Sequence, residues 1–152
     1  MPLVPFPRAR LEVAVDSSPP RVFARHVADA LSHVYDLARL QIHPLALRLD
    51  VPEQARDGLG RALQRTLVDA IDALRPDRHS TSEQSGRIHR LLVLRYIDGL
   101  EPSDVWAELG IGKSEYYREH SYGLAALASL LWERLSSSDD RARSNRKPVL
   151  QV

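Results

Sequence analysis

The sequence predicts an all-α protein. From residue 19 to residue 135, apolar side chains recur at steps of three and four, which is the spacing of one face of a helix. Prolines and capping residues stand just before several of these runs, at positions where helices begin. Around residues 11–15, Leu11, Val13 and Val15 alternate with Glu12 and Ala14, a pattern that would suit a short edge strand.

The first half is predicted to form a helical subdomain over residues 19–76. Its first helix starts after the segment 18–20, Ser-Pro-Pro. The apolar face of this helix consists of Phe23, Val27, Ala30, Leu31, Val34 and Ala38. Because Pro44 disfavours helical backbone in the residue before it, we expect a break at His43. The proline-rich segment 1–18 is expected to be an irregular arm.

A second amphipathic helix completes this half. Asp50 and Glu53 have the spacing of a capping box, and Pro52 fits the first turn. The apolar face of this helix consists of Leu59, Leu63, Leu67, Ile71 and Leu74. The pair Arg75-Pro76 should end it.

Composition and charge restrict the class of protein. With 43% apolar residues, 27% charged residues and a mean hydropathy of −0.31, the chain is typical of a soluble globular protein. The absence of cysteine excludes disulfides, thiol nucleophiles and cysteine zinc sites. No apolar run approaches the ~20 residues of a membrane span, so we expect no membrane association and a cytoplasmic location.

The second half, residues 84–135, is predicted to be a separate helical domain. Ser80 and Glu83 offer a capping box for a buried helix that ends at Gly99. A short helix with Pro102 in its first turn should bury Val105 and Leu109. The turn Gly110-Ile111-Gly112 then leads into a helix that begins at Lys113. Two helices joined by a tight glycine turn form a helix-turn-helix.

This segment resembles region 4 of bacterial sigma factors and the related helix-turn-helix of LuxR-type regulators. The residues that carry the resemblance are Leu94-Arg95-Tyr96, Gly99, Val105, Leu109-Gly110-Ile111, Tyr116, Leu124 and Leu127. The resemblance covers about 45 residues. In three places the sequence departs from the family pattern: Trp106 replaces a small residue, Gly112 replaces the usual serine cap, and Glu119 stands where an apolar residue is common.

The resemblance implies a transcriptional regulator that reads the major groove of double-stranded DNA with its second motif helix. The DNA-binding residues that it implies are Lys113, Ser114, Glu115, Tyr117, Arg118 and Ser121 on that helix, with Arg87 and Arg90 on the preceding one. For Arg87 and Arg90 the ordinary alternative is a solvated or paired side chain. Arg95 could instead pair with Glu101 or Glu108.

A protein-interaction module on the same scaffold is the alternative, with RNA polymerase or another regulator as its partner. Residues 82–135 carry 6 basic and 8 acidic side chains, which does not match the basic footprint of a tight nucleic-acid binder. Trp106 and Glu119 favour the same alternative.

No motif indicates catalysis, a cofactor or a metal. None of the six histidines forms a pair with another at a spacing of three or four, and no nucleophile or phosphate-loop motif occurs. We therefore expect a protein that is not an enzyme. The final helix is predicted over Tyr122–Leu135, and its leucine stripe could serve core packing or a homodimer seam. The polar residues 136–152 are expected to be a disordered tail.

Overall fold

The structure is a computed structural model that describes residues 18–79 and 82–146. Within these ranges every regular element is a helix or a helical turn, which confirms the predicted all-α class. The expected irregular arm and the alternating residues 11–15 lie outside the described residues, apart from Ser18.

The N-terminal half contains three α-helices. They are α1 (Arg21–Ser32), α2 (Leu37–Gln41) and α3 (Leu59–Ala73), with 3₁₀ turns at Pro44–Arg48 and Glu53–Gly58 between the last two. The break at His43 is as predicted, because this residue is extended, with φ −72° and ψ 143°, and the proline opens the following turn. The apolar run of the first helix is divided, however, since α1 ends at Ser32 and Ala38 is exposed on α2.

Helix α3 starts later than the sequence predicts. The side chain of Asp50 caps no helix, and the residue before the 3₁₀ turn is Pro52. Gln41 of α2 performs the capping instead: its Oε1 accepts the N–H of Gly60 at 2.7 Å, and its Nε2 donates to the Arg56 carbonyl at 2.7 Å. The capping group therefore comes from a neighbouring helix rather than from the adjacent sequence.

Gly60 permits this close contact between α2 and α3. A Cβ atom at this position would lie 2.4 Å from the carbonyl oxygen of Leu37. The backbone of α2 thus occupies the space that any larger residue would need.

The C-terminal half consists of α4 (Glu83–Leu92), a π-helical turn over Val93–Ile97, α5 (Pro102–Leu109) and α6 (Lys113–Arg146). Ser82 is the N-cap of α4, and its Oγ accepts the N–H of Ser85 at 3.2 Å. The capping residue is therefore Ser82, whereas the sequence predicted Ser80, which lies outside the described residues.

Helix α6 is continuous over 34 residues, where the sequence predicts two helices and a tail. At the predicted junction, Gly123 stays helical and is packed under α4, with Ile88 Cγ2 and Leu92 Cδ1 each 3.2 Å from the site of a Cβ atom. Residues 136–146 are helical rather than disordered, and they contain neither proline nor glycine. Residues 147–152 lie outside the described residues.

The two predicted domains share one hydrophobic core. Phe23 of α1 meets Trp132 of α6 edge to face, with ring centroids 5.0 Å apart. The guanidinium carbon of Arg48 lies 5.4 Å from the first ring centroid and 5.3 Å from the second. The leucines Leu127 and Leu131 of the predicted stripe are buried in this core.

Candidate nucleic-acid interface

Helices α5 and α6 are joined by the turn predicted from the glycines. Gly110 has φ 68° and ψ 31°, the left-handed conformation that glycine adopts without a steric penalty. The N–H of Ile111 donates to the Trp106 carbonyl at 3.0 Å, which closes α5. The Gly112 carbonyl accepts the N–H of Tyr116 at 3.0 Å, which opens α6. The helix ends at Leu109 and Lys113 agree with the sequence prediction.

The first turns of α6 present one polar, exposed face. At 100° per residue its members fall within an arc of about 140°. They are Lys113, Ser114, Tyr117, Arg118 and Ser121, and we refer to them as the α6 face. Tyr116, Glu119 and Gly123 are buried on the other side of the helix. The structure therefore brings together five of the eight predicted site residues on one surface.

The sixth predicted residue of this helix, Glu115, points toward two arginines. Arg118 donates to Glu115 Oε2, and Arg87 Nη2 lies 3.6 Å from Glu115 Oε1. The Glu115 side chain is 29% exposed, compared with 61% for Arg118. Glu115 is thus an ion-pair partner at the edge of the α6 face.

Arg87 forms an ion pair with a buried carboxylate. Its Nε donates to both carboxylate oxygens of Glu119 at 2.9 Å, and its Nη2 donates to Oε1. The Glu119 side chain is 0% exposed. The hydrogen bonds from Arg87 lower the pKa of Glu119 despite the opposing effect of burial, and the same bonds raise the pKa of Arg87. The pairing agrees with the ordinary alternative that the sequence analysis gave for Arg87. The sequence did not identify Glu119 as the partner, because the two residues are 32 positions apart.

Arg90, the remaining predicted contact on α4, has a more open position. Its side chain is 61% exposed, and its Nη2 lies 3.8 Å from Glu108 Oε1 on α5. Of the two predicted contacts on α4, Arg90 is therefore the one whose side chain lies largely in solvent, since Arg87 is 34% exposed.

Arg95 has neither of the predicted carboxylate partners. Its Nη1 donates to the Leu100 carbonyl at 3.2 Å, and its guanidinium carbon lies 5.5 Å from the centroid of the Tyr96 ring. Arg95 therefore closes the loop that follows the π-helical turn, instead of pairing with Glu101 or Glu108.

A cluster of aromatic side chains packs against the start of α6. Trp106 is half-buried, with its ring centroid 5.7 Å from that of Tyr116 and 6.2 Å from that of Tyr117. Tyr116 stacks on His120 at 5.6 Å, and the His120 Nε2 shares a 2.6 Å hydrogen bond with the Tyr96 hydroxyl. The indole thus fits beside the helix, at a place where the family pattern has a small residue.

Burial shifts the protonation equilibria of this cluster. It raises the pKa of Tyr96 to about 12, and it lowers the pKa of His120, with a further contribution from the charge of Arg95. The Tyr96 hydroxyl is therefore protonated, and the His120 imidazole neutral, near pH 7. Their hydrogen bond joins two uncharged groups.

Among the described residues, no group of three or more histidine, aspartate or glutamate side chains could ligate a metal. His43 is buried and structural: its Nδ1 accepts the N–H of Leu45 at 3.2 Å, and its Nε2 lies 3.0 Å from Asp29 Oδ2. A groove of about 370 Å³ between α3 and α4 is lined in part by Asp72, Arg75 and His89.

None of the helices within residues 18–79 and 82–146 combines the length and the apolar character that a bilayer crossing requires. Comparison of the sequence with protein-family models and with curated proteins, and of the structure with solved structures, finds no match.

Proposed function

We propose that the chain binds double-stranded DNA through the α6 face and acts as a helix-turn-helix transcriptional regulator. The observation that carries this proposal is the arrangement of α6. Five polar or cationic side chains are exposed at its N-terminal end, while the opposite side of the same turns is buried. A helix held in this way can enter a major groove without rearranging the core.

The chemistry of the α6 face suits a DNA duplex. Arg118 could donate a bidentate pair of hydrogen bonds to guanine O6 and N7, which is the commonest specific contact. Lys113 and the first backbone N–H groups of α6 favour a phosphate, because a helix N-terminus carries partial positive charge. Tyr117 can donate to a phosphate or contact a thymine methyl group.

The ion pairs determine which arginines are assigned to DNA. Arg87 is held by Glu119, so we assign it to the scaffold. Arg90 is exposed and takes the role of a contact to the phosphate backbone. Under this assignment the cations that meet DNA are Lys113, Arg118 and Arg90.

The proposal is tested by selection of binding sites from randomised duplex DNA, followed by a salt titration on the enriched site. We expect an enriched motif and a logarithmic salt slope of about −0.9 for each phosphate neutralised. Lys113→Ala and Arg118→Ala should weaken binding. Arg65→Ala, which removes an exposed arginine of α3, serves as the control and should have little effect. A symmetric motif would indicate a homodimer, and failure to enrich any motif at low salt would refute the proposal.

A protein-interaction module is the second candidate, and one observation favours it. The exposed side chains of α5 and its N-cap are acidic at Glu101, Asp104 and Glu108. This surface would repel a phosphate backbone, but it complements a basic patch on a partner such as RNA polymerase or another regulator. Two results together would favour this candidate. The chain would bind no DNA, and it would bind purified polymerase in a way that Glu108→Lys abolishes.

A further inference from the structure

Four charged side chains form a continuous row from the α6 face into the core. The row runs from Arg118 through Glu115 and Arg87 to Glu119, and every neighbouring pair is an ion pair. The exposed fractions of these side chains are 61%, 29%, 34% and 0%. The row thus joins a residue in solvent to a fully buried carboxylate.

The contacts along this row are unequal. Arg87 gives its close hydrogen bonds to Glu119, whereas its nearest nitrogen is 3.6 Å from Glu115. Glu115 therefore has Arg118 as its close cationic partner, and its carboxyl also lies against that of Glu119. Glu115 also lies in the first turn of α6, where the helix dipole favours negative charge.

We infer that Glu115 is a positioning residue that sets sequence specificity by holding Arg118 away from phosphates. This inference rests on the proposed DNA-binding function. Arg118 contacts Glu115 through Nη2, so its other N–H groups can reach DNA while the carboxylate stays beside them. A contact of Arg118 to a phosphate and a contact to a guanine edge therefore differ in how strongly this carboxylate opposes them.

A phosphate next to Arg118 also lies next to the negative charge of Glu115, which repels it. A guanine edge carries no net charge, so the same carboxylate opposes that contact less. Glu115 therefore weakens binding to arbitrary DNA more than binding to a site with guanine at the Arg118 position. Specificity of this kind arises from a repulsive element directed against the wrong partner.

The test compares two duplexes of equal length and composition, the enriched site and a scrambled version of it. Glu115→Gln removes the charge and keeps the shape of the side chain. We expect it to tighten binding to the scrambled duplex by about two- to five-fold, the range of an exposed ion pair, and to tighten the enriched site less. The ratio of the two affinities should therefore fall.

Two further variants separate this effect from a general change in charge. Glu101→Gln makes the same change at an exposed residue before α5, and it should leave the affinity ratio unchanged. In an Arg118→Ala background, Glu115→Gln should no longer alter the ratio, because the side chain through which it acts is gone. Circular dichroism of each variant reports whether the fold is retained. Should Glu115→Gln unfold the chain, Glu115→Ser is measured in its place.

The possible outcomes separate the role of Glu115 from DNA binding itself. Equal tightening of both duplexes by Glu115→Gln, or an unchanged effect in the Arg118→Ala background, would overturn the role of Glu115 and leave DNA binding intact. Weaker binding by Glu115→Gln would mean that Glu115 itself contacts DNA, which also overturns the inference. If the unmodified chain binds neither duplex, the proposed function fails, and the inference fails with it.

Discussion

Arg87 of α4 and Glu119 of α6 form an ion pair in which the carboxylate is completely buried. The two oxygens of Glu119 accept hydrogen bonds from Nε of Arg87 at 2.9 Å, and the arginine also reaches the edge of the α6 face through Glu115. Because Glu119 faces inward, this pair contributes, with the buried Tyr116 and Gly123, to fixing the rotation of α6 about its own axis. The orientation of the α6 face thus depends in part on the Arg87–Glu119 contact on the buried side of the helix.

Loss of Arg87 should destabilise the fold strongly, since it leaves a buried carboxylate without a partner. We expect Arg87→Met to lower the urea midpoint clearly more than Arg90→Met, which removes only an exposed pair. The double variant Arg87→Met with Glu119→Leu should recover much of the loss. Equal midpoints for the two single variants would show that the Arg87–Glu119 pair contributes no more to stability than the exposed pair of Arg90.

The stability of the protein should decrease in mild acid because of His120. Burial lowers the pKa of this imidazole below its ordinary value of 6.5, so the unfolded chain binds a proton before the folded chain does. The free energy of unfolding is therefore highest above pH 6.5 and falls as the pH decreases through the lowered pKa. Urea unfolding at about pH 7.5 and about pH 5.5 measures the change.

His120→Gln should flatten this pH dependence and keep a hydrogen-bonding group opposite Tyr96. Burial also lowers the pKa of His89, so His89 contributes to the pH dependence of stability that remains in this variant. The lowered pKa of Glu119 places its own contribution in a more acidic range, below the ordinary value of 4.5. An identical slope in the wild type and in His120→Gln would contradict the prediction for His120.

Gly60→Ala should destabilise the protein although alanine favours helices. The added Cβ would lie 2.4 Å from the Leu37 carbonyl oxygen, so α2 and α3 must separate. Overpacking of this kind costs about 1–3 kcal/mol, against a gain of at most roughly 1 kcal/mol from the helix propensity of alanine. Because the clashing atom belongs to the backbone, we expect the cost to lie in the upper part of its range. Gly58→Ala is the control, because nothing lies within 4 Å of its Cβ position. In thermal unfolding, the melting temperature of Gly60→Ala should therefore be well below that of Gly58→Ala.

Leu127→Ala should cost about 2–5 kcal/mol of unfolding free energy, as expected for a fully buried leucine. Leu109→Ala should cost less, because this side chain at the end of α5 is only half-buried. Chemical denaturation of both variants tests the order. A larger loss for Leu109 would mean that the contact of α5 with α6 carries more of the stability than the central core.

Arg118→Ala should reduce specific DNA binding by at least about 1 kcal/mol and relax the base preference at one position. The residue is exposed and pairs only with Glu115 among the contacts described for it, so the fold should be unaffected. Titration of the enriched duplex by fluorescence anisotropy gives the affinity. Unchanged affinity would exclude Arg118 from the reading surface.

The sequence predicts those helix boundaries that neighbouring residues determine. Pro44 ends a helix through its own geometry, and Gly110 ends α5 because the chain needs a left-handed residue there. In each case the cause lies within a few residues of the effect. The α6 face follows from the same boundaries, since the start at Lys113 fixes which residues share one side of the helix.

Contacts between distant residues account for what the sequence did not predict. The start of α3 depends on Gln41 from another helix, and the role of Glu119 depends on Arg87. Considered alone, each of these residues resembles an ordinary polar residue on a helix surface. The continuity of α6 through Gly123 likewise depends on the packing of α4 against it. Local patterns carry none of this information.

The length of α6 determines how the protein can be divided for study. From Lys113 to Trp132 the helix rises by about 28 Å, at roughly 1.5 Å per residue. One end therefore carries the α6 face, while Trp132 contacts Phe23 in the first helix. A fragment that begins at α4 would lose the first half of the core and remove the ring that Trp132 packs against. Experiments on DNA binding thus need both halves in one polypeptide, and a mutation near Phe23 can alter the α6 face from a distance.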